Sequence, residues 1–219
     1  MRLERLAPLT GPLGLAAIIA ALASDTLPGG DVTDADLATY TQTHGYGTWL
    51  LMGVGFGVGG VLLLVFAAVL ATRLERAGAG PVATRIAQVA GTAWGTLALA
   101  AGACWSAAPM AHLFLSPRPP TAAVYNLFGG LSYGILVLFC ALAAATLAAA
   151  VTAVALRTSL LPRWLAVVGV PATLLMLANP LLPMAVITLW FTAVAICLAL
   201  REPAKDPVTG AAIMAGAVA

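Results

Sequence analysis

Long apolar runs separated by short polar breaks dominate the chain, and their lengths set its architecture. A hydrocarbon core of about 30 Å takes about 20 helical residues to cross. Five runs have the length and apolarity for such a crossing, namely Thr48 to Thr72, Ile86 to Leu115, Leu127 to Leu156, Trp164 to Ala178 and Met184 to Leu200. A sixth, Leu9 to Ser24, is shortened by Pro12. The pattern predicts an all-α, polytopic transmembrane helical bundle of about six helices, at 9–24, 48–72, 86–115, 127–156, 164–178 and 184–200. Residues 1–219 then form a single integral membrane domain with an outer loop at 25–47.

That outer loop carries its own local signal. Thr33-Asp34-Ala35-Asp36 is a capping-box pattern, a hydroxyl at the N-cap with a carboxylate three residues on. Leu37, Tyr40, Thr41 and His44 recur at helical spacing and Gly45 supplies a stop. The expected element is a short amphipathic helix, Asp34 to His44, lying on the outer membrane surface. Asp34 and Asp36 are read there as cap and dipole partners in preference to catalysts.

Composition closes off other classes. The chain is 62% hydrophobic and 8% charged, against about 25% charged in ordinary soluble domains. A soluble fold of this length buries only about 70% of its unfolded surface, and an exterior this apolar needs lipid as its solvent. A net charge of +2 from scattered single basic residues gives no footprint for nucleic acid. Cys104, Cys140 and Cys197 lie inside apolar runs without metal-ligand spacing, and neither metal nor cofactor is expected.

Charge placement sets an orientation. With both termini inside, Arg2, Arg5, Arg73, Arg76, Arg85, Arg157, Arg163, Arg201 and Lys205 face the cytoplasm, nine of the ten basic residues, leaving Arg118 outside. The expected location is the cell membrane, multi-pass, in the bacterial plasma membrane. Met1 to Ala23 also has the look of a signal peptide, whose cleavage would leave five helices; the charge pattern fits a retained helix better.

Glycines mark packing faces. Gly53, Gly55, Gly57, Gly59 and Gly60 in the second helix contain overlapping GxxxG spacings, and Gly91, Gly95, Ala98, Gly102 and Ser106 repeat the device in the third. These faces serve either to pack the two helices together or to contact a homo-oligomeric or other membrane-protein partner. Pro109 is expected to bend the third helix near its outer end.

No Asp, Glu, Lys or Arg falls at membrane depth, which argues against proton-coupled pumps and voltage sensors. Polar and aromatic residues instead gather toward the outer side. Trp49, Trp105, Asn126, Tyr133 and Asn179 are candidate ligand-binding residues of an outward pocket. For Trp49, Tyr46 and Tyr125 an aromatic belt at the interface is the competing and preferred explanation. Asp25, His112 and Tyr133 are candidate catalytic residues if the chain is an enzyme.

The turn Arg157-Thr158-Ser159-Leu160-Leu161-Pro162-Arg163-Trp164-Leu165-Ala166-Val167-Val168-Gly169 resembles the cytoplasmic turn of a broad group of uncharacterised actinobacterial membrane proteins, of the type R-x-G-x-L-P-R-W-L-G. Ser159 and Ala166 stand where that group has Gly. The outer loop Asp31 to Gly45 and the apolar helix ending in Leu70 to Glu75 are similar to theirs as well. The resemblance implies a six-helix fold and transfers no activity.

Three functions fit the sequence. The preferred one is binding, of membrane lipid, a lipophilic small molecule or a membrane partner. The second is a cofactor-independent isomerase or terpenoid or polyene cyclase acting by acid–base chemistry. The third is a transporter.

Overall fold

The computed structural model describes residues 3–24, 30, 32–115, 119–178 and 183–200, and among them every regular element is helical. A helical turn (Leu3–Leu6) and a 3₁₀ turn (Ala7–Leu9) lead into α1 (Thr10–Ala23). The others are α2 (Asp34–His44), α3 (Gly47–Arg76), α4 (Pro81–Phe114), α5 (Ala122–Arg157), α6 (Arg163–Ala178) and α7 (Pro183–Leu200). Pro12 falls in the first turn of α1, where its missing N–H costs nothing, so it does not shorten that helix.

By length and apolarity α3, α4 and α5 are each sufficient to cross a membrane. At 30, 34 and 36 residues they run about 45, 51 and 54 Å. The apolar stretches of α1, α6 and α7 are shorter, between 10 and 17 residues. Sequence bounds and observed bounds differ chiefly at the basic ends. Arg73 and Arg76 belong to the last turn of α3, where cations complement the C-terminal dipole; hydropathy marks where apolarity stops, not where hydrogen bonding stops.

Neighbouring helices pack in order, with α1 on α3, α3 on α4, α4 on α5, α5 on α6 and α6 on α7, and α7 returns to α1. The α3–α4 pairing is the most extensive because glycine lets backbones touch. A Cβ placed on Gly60 would lie 2.8 Å from the Gly95 carbonyl oxygen, and one on Gly102 would lie 2.9 Å from that of Gly53. Gly14 and Gly59 do the same for α1 and α3. Of the two roles open to the glycine faces, Gly53, Gly60, Gly91, Gly95 and Gly102 serve packing within the chain, while Gly57 meets nothing within 4 Å.

At the centre, Phe191 of α7 meets Phe66 of α3 at 6.0 Å and Trp94 of α4 at 4.9 Å between ring centroids. All three rings are buried. The Trp190 indole N–H donates to the Leu165 carbonyl at 3.5 Å, joining α7 to α6. Outside this core many large apolar side chains stand at the surface: Val82, Val89, Leu113 and Leu189 are each more than half exposed. Side chains of this kind in water would cost roughly 1.5–3 kcal/mol each relative to burial.

α5 is interrupted by a π-turn, Ile135–Cys140. On its N-terminal side the Ser132 hydroxyl donates to the Ala101 carbonyl of α4 at 2.8 Å, and at its end Cys140 lies against the Trp94 carbonyl. This register makes α4 and α5 antiparallel. The molecule therefore has a polar-aromatic end, with α2 and the start of α5, and a basic end, with Arg76, Arg85, Arg157 and Arg163.

Candidate functional site

Among the described residues, side chains converge around a surface or a space at the polar-aromatic end and in a lateral groove nearer the basic end. At the aromatic end, the short helix α2 is built as its sequence dictates. The Thr33 hydroxyl and the Asp36 amide and carboxylate satisfy one another reciprocally, with Thr33 N–H donating to Asp36 Oδ2 at 3.0 Å. These hydrogen bonds hold the Asp36 carboxyl below the usual carboxylate range. Gly45 closes the helix at φ +63°, a conformation that favours glycine. Leu37 and Tyr40 turn inward and are buried, while His44 is exposed and stacks on Tyr40 at 4.8 Å.

Asp34 does more than serve its own helix. Its Oδ1 accepts the backbone N–H of Ala122, the first residue of α5, at 2.6 Å. Asn126 adds a second tie, its Nδ2 donating to the Val32 carbonyl at 3.2 Å. The surface helix is thus bolted to the start of a membrane-length helix almost 90 residues away in sequence.

Beneath it the rings form a chain. His112 packs on Tyr46 at 4.4 Å, Tyr46 on Trp49 at 6.2 Å, Trp49 on Tyr125 at 5.3 Å, Tyr125 on Trp105 at 6.5 Å, and Trp105 on Tyr133 at 5.3 Å. Trp105 also donates its indole N–H to Met52 Sδ at 3.1 Å. Trp49 and Tyr125 are buried, at 2% and 7% exposure, so they are core residues and not the interfacial belt expected for them.

The candidate site residues therefore separate. Trp49, Trp105 and Tyr133 share the aromatic cluster, Asn126 is an exposed tether, and His112 and Tyr133 sit at opposite ends of the ring chain. Asp25 and Asn179 lie outside the described residues. The space left among Leu22, Met52, Phe56, Trp105, Ser132, Tyr133 and Leu136 has no room for even a water-sized sphere. Small-molecule sites usually occupy about 300–1,000 Å³. The rings expected to line a pocket fill it instead.

The larger concavity is elsewhere. A groove of about 480 Å³ opens sideways between α4 and α5, from Arg85 and Thr146 to Leu97 and Phe139. Ala90 and Ala143, both buried, and Ala93 leave the trough; Ile86, Val89, Leu97, Phe139 and Leu142 stand along it. Phe139 belongs to the π-turn and is 55% exposed. The lining offers hydrocarbon, one hydroxyl already donating to the Leu142 carbonyl, and one guanidinium. That is equipment for holding an apolar molecule, not for acid–base work. Sequence inspection passes over these residues because alanine and leucine in an apolar helix carry no signal until two helices place them opposite each other.

Among the described residues no group of His, Cys, Asp or Glu is arranged to hold a metal ion. No protein-family model, no curated protein and no solved structure matches the chain, so the resemblance of its Arg157 to Gly169 turn rests on those residues alone.

Proposed function

We propose that the chain is a six-helix, multi-pass protein of a bacterial plasma membrane, with both ends cytoplasmic, that binds a lipid-like apolar ligand in the groove between α4 and α5. The observation that carries this reading is the groove itself: about 480 Å³, apolar along its length and open on the face that hydrocarbon would cover. The orientation is supported by nine of ten basic residues falling on one side. In it Arg85 stands at the cytoplasmic mouth and Leu97 and Phe139 near mid-membrane.

The cyclase or isomerase reading gains no comparable support. Its acid–base candidates His112 and Tyr133 are separated by four intervening rings, and the only ionic side chain lining the groove is the Arg85 guanidinium, which does not exchange protons near neutral pH. The groove ends near Leu97 and Phe139 and so gives no path across.

A photoactivatable acyl chain in liposomes tests the reading. Adducts should concentrate in peptides containing Val89 to Leu97 and Phe139 to Thr146. Uniform labelling of every lipid-facing helix would sink it.

A further inference from the structure

We propose that the occupant of this groove is an anionic phospholipid of the leaflet at the basic end, with one acyl chain along α4 and α5 and its phosphate on Arg85. The inference rests on the groove reading above and adds the chemical class of the ligand.

Length and width select a single chain. Arg85 to Leu97 spans 12 residues of α4, about 18 Å, close to the roughly 15 Å hydrocarbon depth of one leaflet. A volume of about 480 Å³ spread over that length has a mean diameter of about 6 Å. A helix with its side chains is about 10–12 Å across, so a neighbouring transmembrane segment would seat only a ridge of side chains in the groove, whereas an extended hydrocarbon chain fits along its whole length.

Charge selects the headgroup. Arg85 is exposed at the mouth and lies in the second turn of α4, a helix with no acidic residue in its first turn. A cation near a helix N-terminus is itself unfavourable, and an anion beside it would offset both the guanidinium and the dipole. Among the described residues no carboxylate pairs with Arg85. Guanidinium is always protonated and binds phosphate oxygens in pairs, which a zwitterionic lipid offers only with its own cation close by.

The test is native mass spectrometry of the purified full chain with phosphatidylglycerol or phosphatidylcholine of identical 16- and 18-carbon chains. The wild type should retain phosphatidylglycerol roughly fivefold better, the ratio that one arginine at a membrane surface supplies. Arg85→Gln should bring that ratio close to one, chiefly by lowering retention of phosphatidylglycerol. Groove filling from either wall, Ala93→Phe on α4 or the exposed Thr146→Phe on α5, should reduce retention of both lipids.

The failures are distinguishable. If both filling variants retain both lipids like the wild type, the groove is not the site and the proposed function fails with it. If filling abolishes retention but Arg85→Gln keeps the preference, the groove stands and the anionic headgroup is refuted. A dimer in the wild type that both filling variants dissociate would assign the groove to a second copy and overturn the lipid.

Discussion

Adding one methyl group at Gly60 tests whether α3 and α4 are held by backbone contact. The new Cβ would sit 2.8 Å from the Gly95 carbonyl oxygen and 3.0 Å from the Leu99 amide nitrogen, both parts of a rigid helix. Ordinary contact starts near 3.4 Å, so the helices must separate by several tenths of an ångström along their longest interface. Overpacking of this kind costs about 1–3 kcal/mol. Alanine also gains about 1 kcal/mol over glycine in a helix, which would blur the result. Gly57→Ala supplies the control, because it receives the same helix gain and meets nothing within 4 Å. The difference between the two variants isolates the clash. In reversible unfolding by SDS titrated into dodecyl maltoside micelles, Gly60→Ala should fall below Gly57→Ala by about 1–3 kcal/mol. Equal midpoints and slopes would refute close backbone packing between these helices.

Asp34→Ala removes the carboxylate that receives the Ala122 amide, a charge-assisted bond, and should cost about 1–2 kcal/mol. Hydrogen exchange should then rise both in α2 and in the first turn of α5; a rise confined to α2 would show that the tether carries no load. At the basic end, a Cβ on Gly169 would land on Thr152 Oγ1, a buried hydroxyl without a partner among the described residues. Gly169→Ala should destabilise, and Thr152→Ala should recover about 1 kcal/mol or more of it in a double-mutant cycle; additive effects would contradict the contact. The Asp36 carboxyl is held below its ordinary value of 3.8, so its contribution is complete above about that pH and is lost as pH falls through the lowered folded value. Amide protection factors in residues 33–45, corrected for the intrinsic pH dependence of exchange, should fall on acidification below pH 3.8, and Asp36→Asn should show this loss already at neutral pH.

What the sequence discloses is local chemistry. Thr33, Asp36 and Gly45 define α2 to the residue because a capping box and a left-handed glycine act within a few positions. The apolar runs locate all the larger helices, yet their bounds fall short where Arg76, Pro81 and Arg157 extend helices past the apolar stretch. The candidate site fared differently because it depends on distant residues. Nothing around Asp34 announces Ala122, and nothing in Ala90, Ala93 or Ala143 announces a trough. Trp49 and Tyr125 look like interfacial anchors one at a time; edge-to-face packing against each other is what buries them.

The π-turn in α5 also bears on how this chain tolerates changes in length. Such a turn is an α-helix carrying one surplus residue, accommodated by wider hydrogen bonding. Removing a single residue between Ile135 and Cys140 would let the segment wind as ordinary helix and still present Ser132 to Ala101 and Leu147 and Val151 to the core. Removing one anywhere beyond it would rotate every following side chain by about 100° and turn the buried face outward. Chains descended from a common ancestor should therefore show a one-residue gap here, where the two halves of α5 meet, and a constant length on either side.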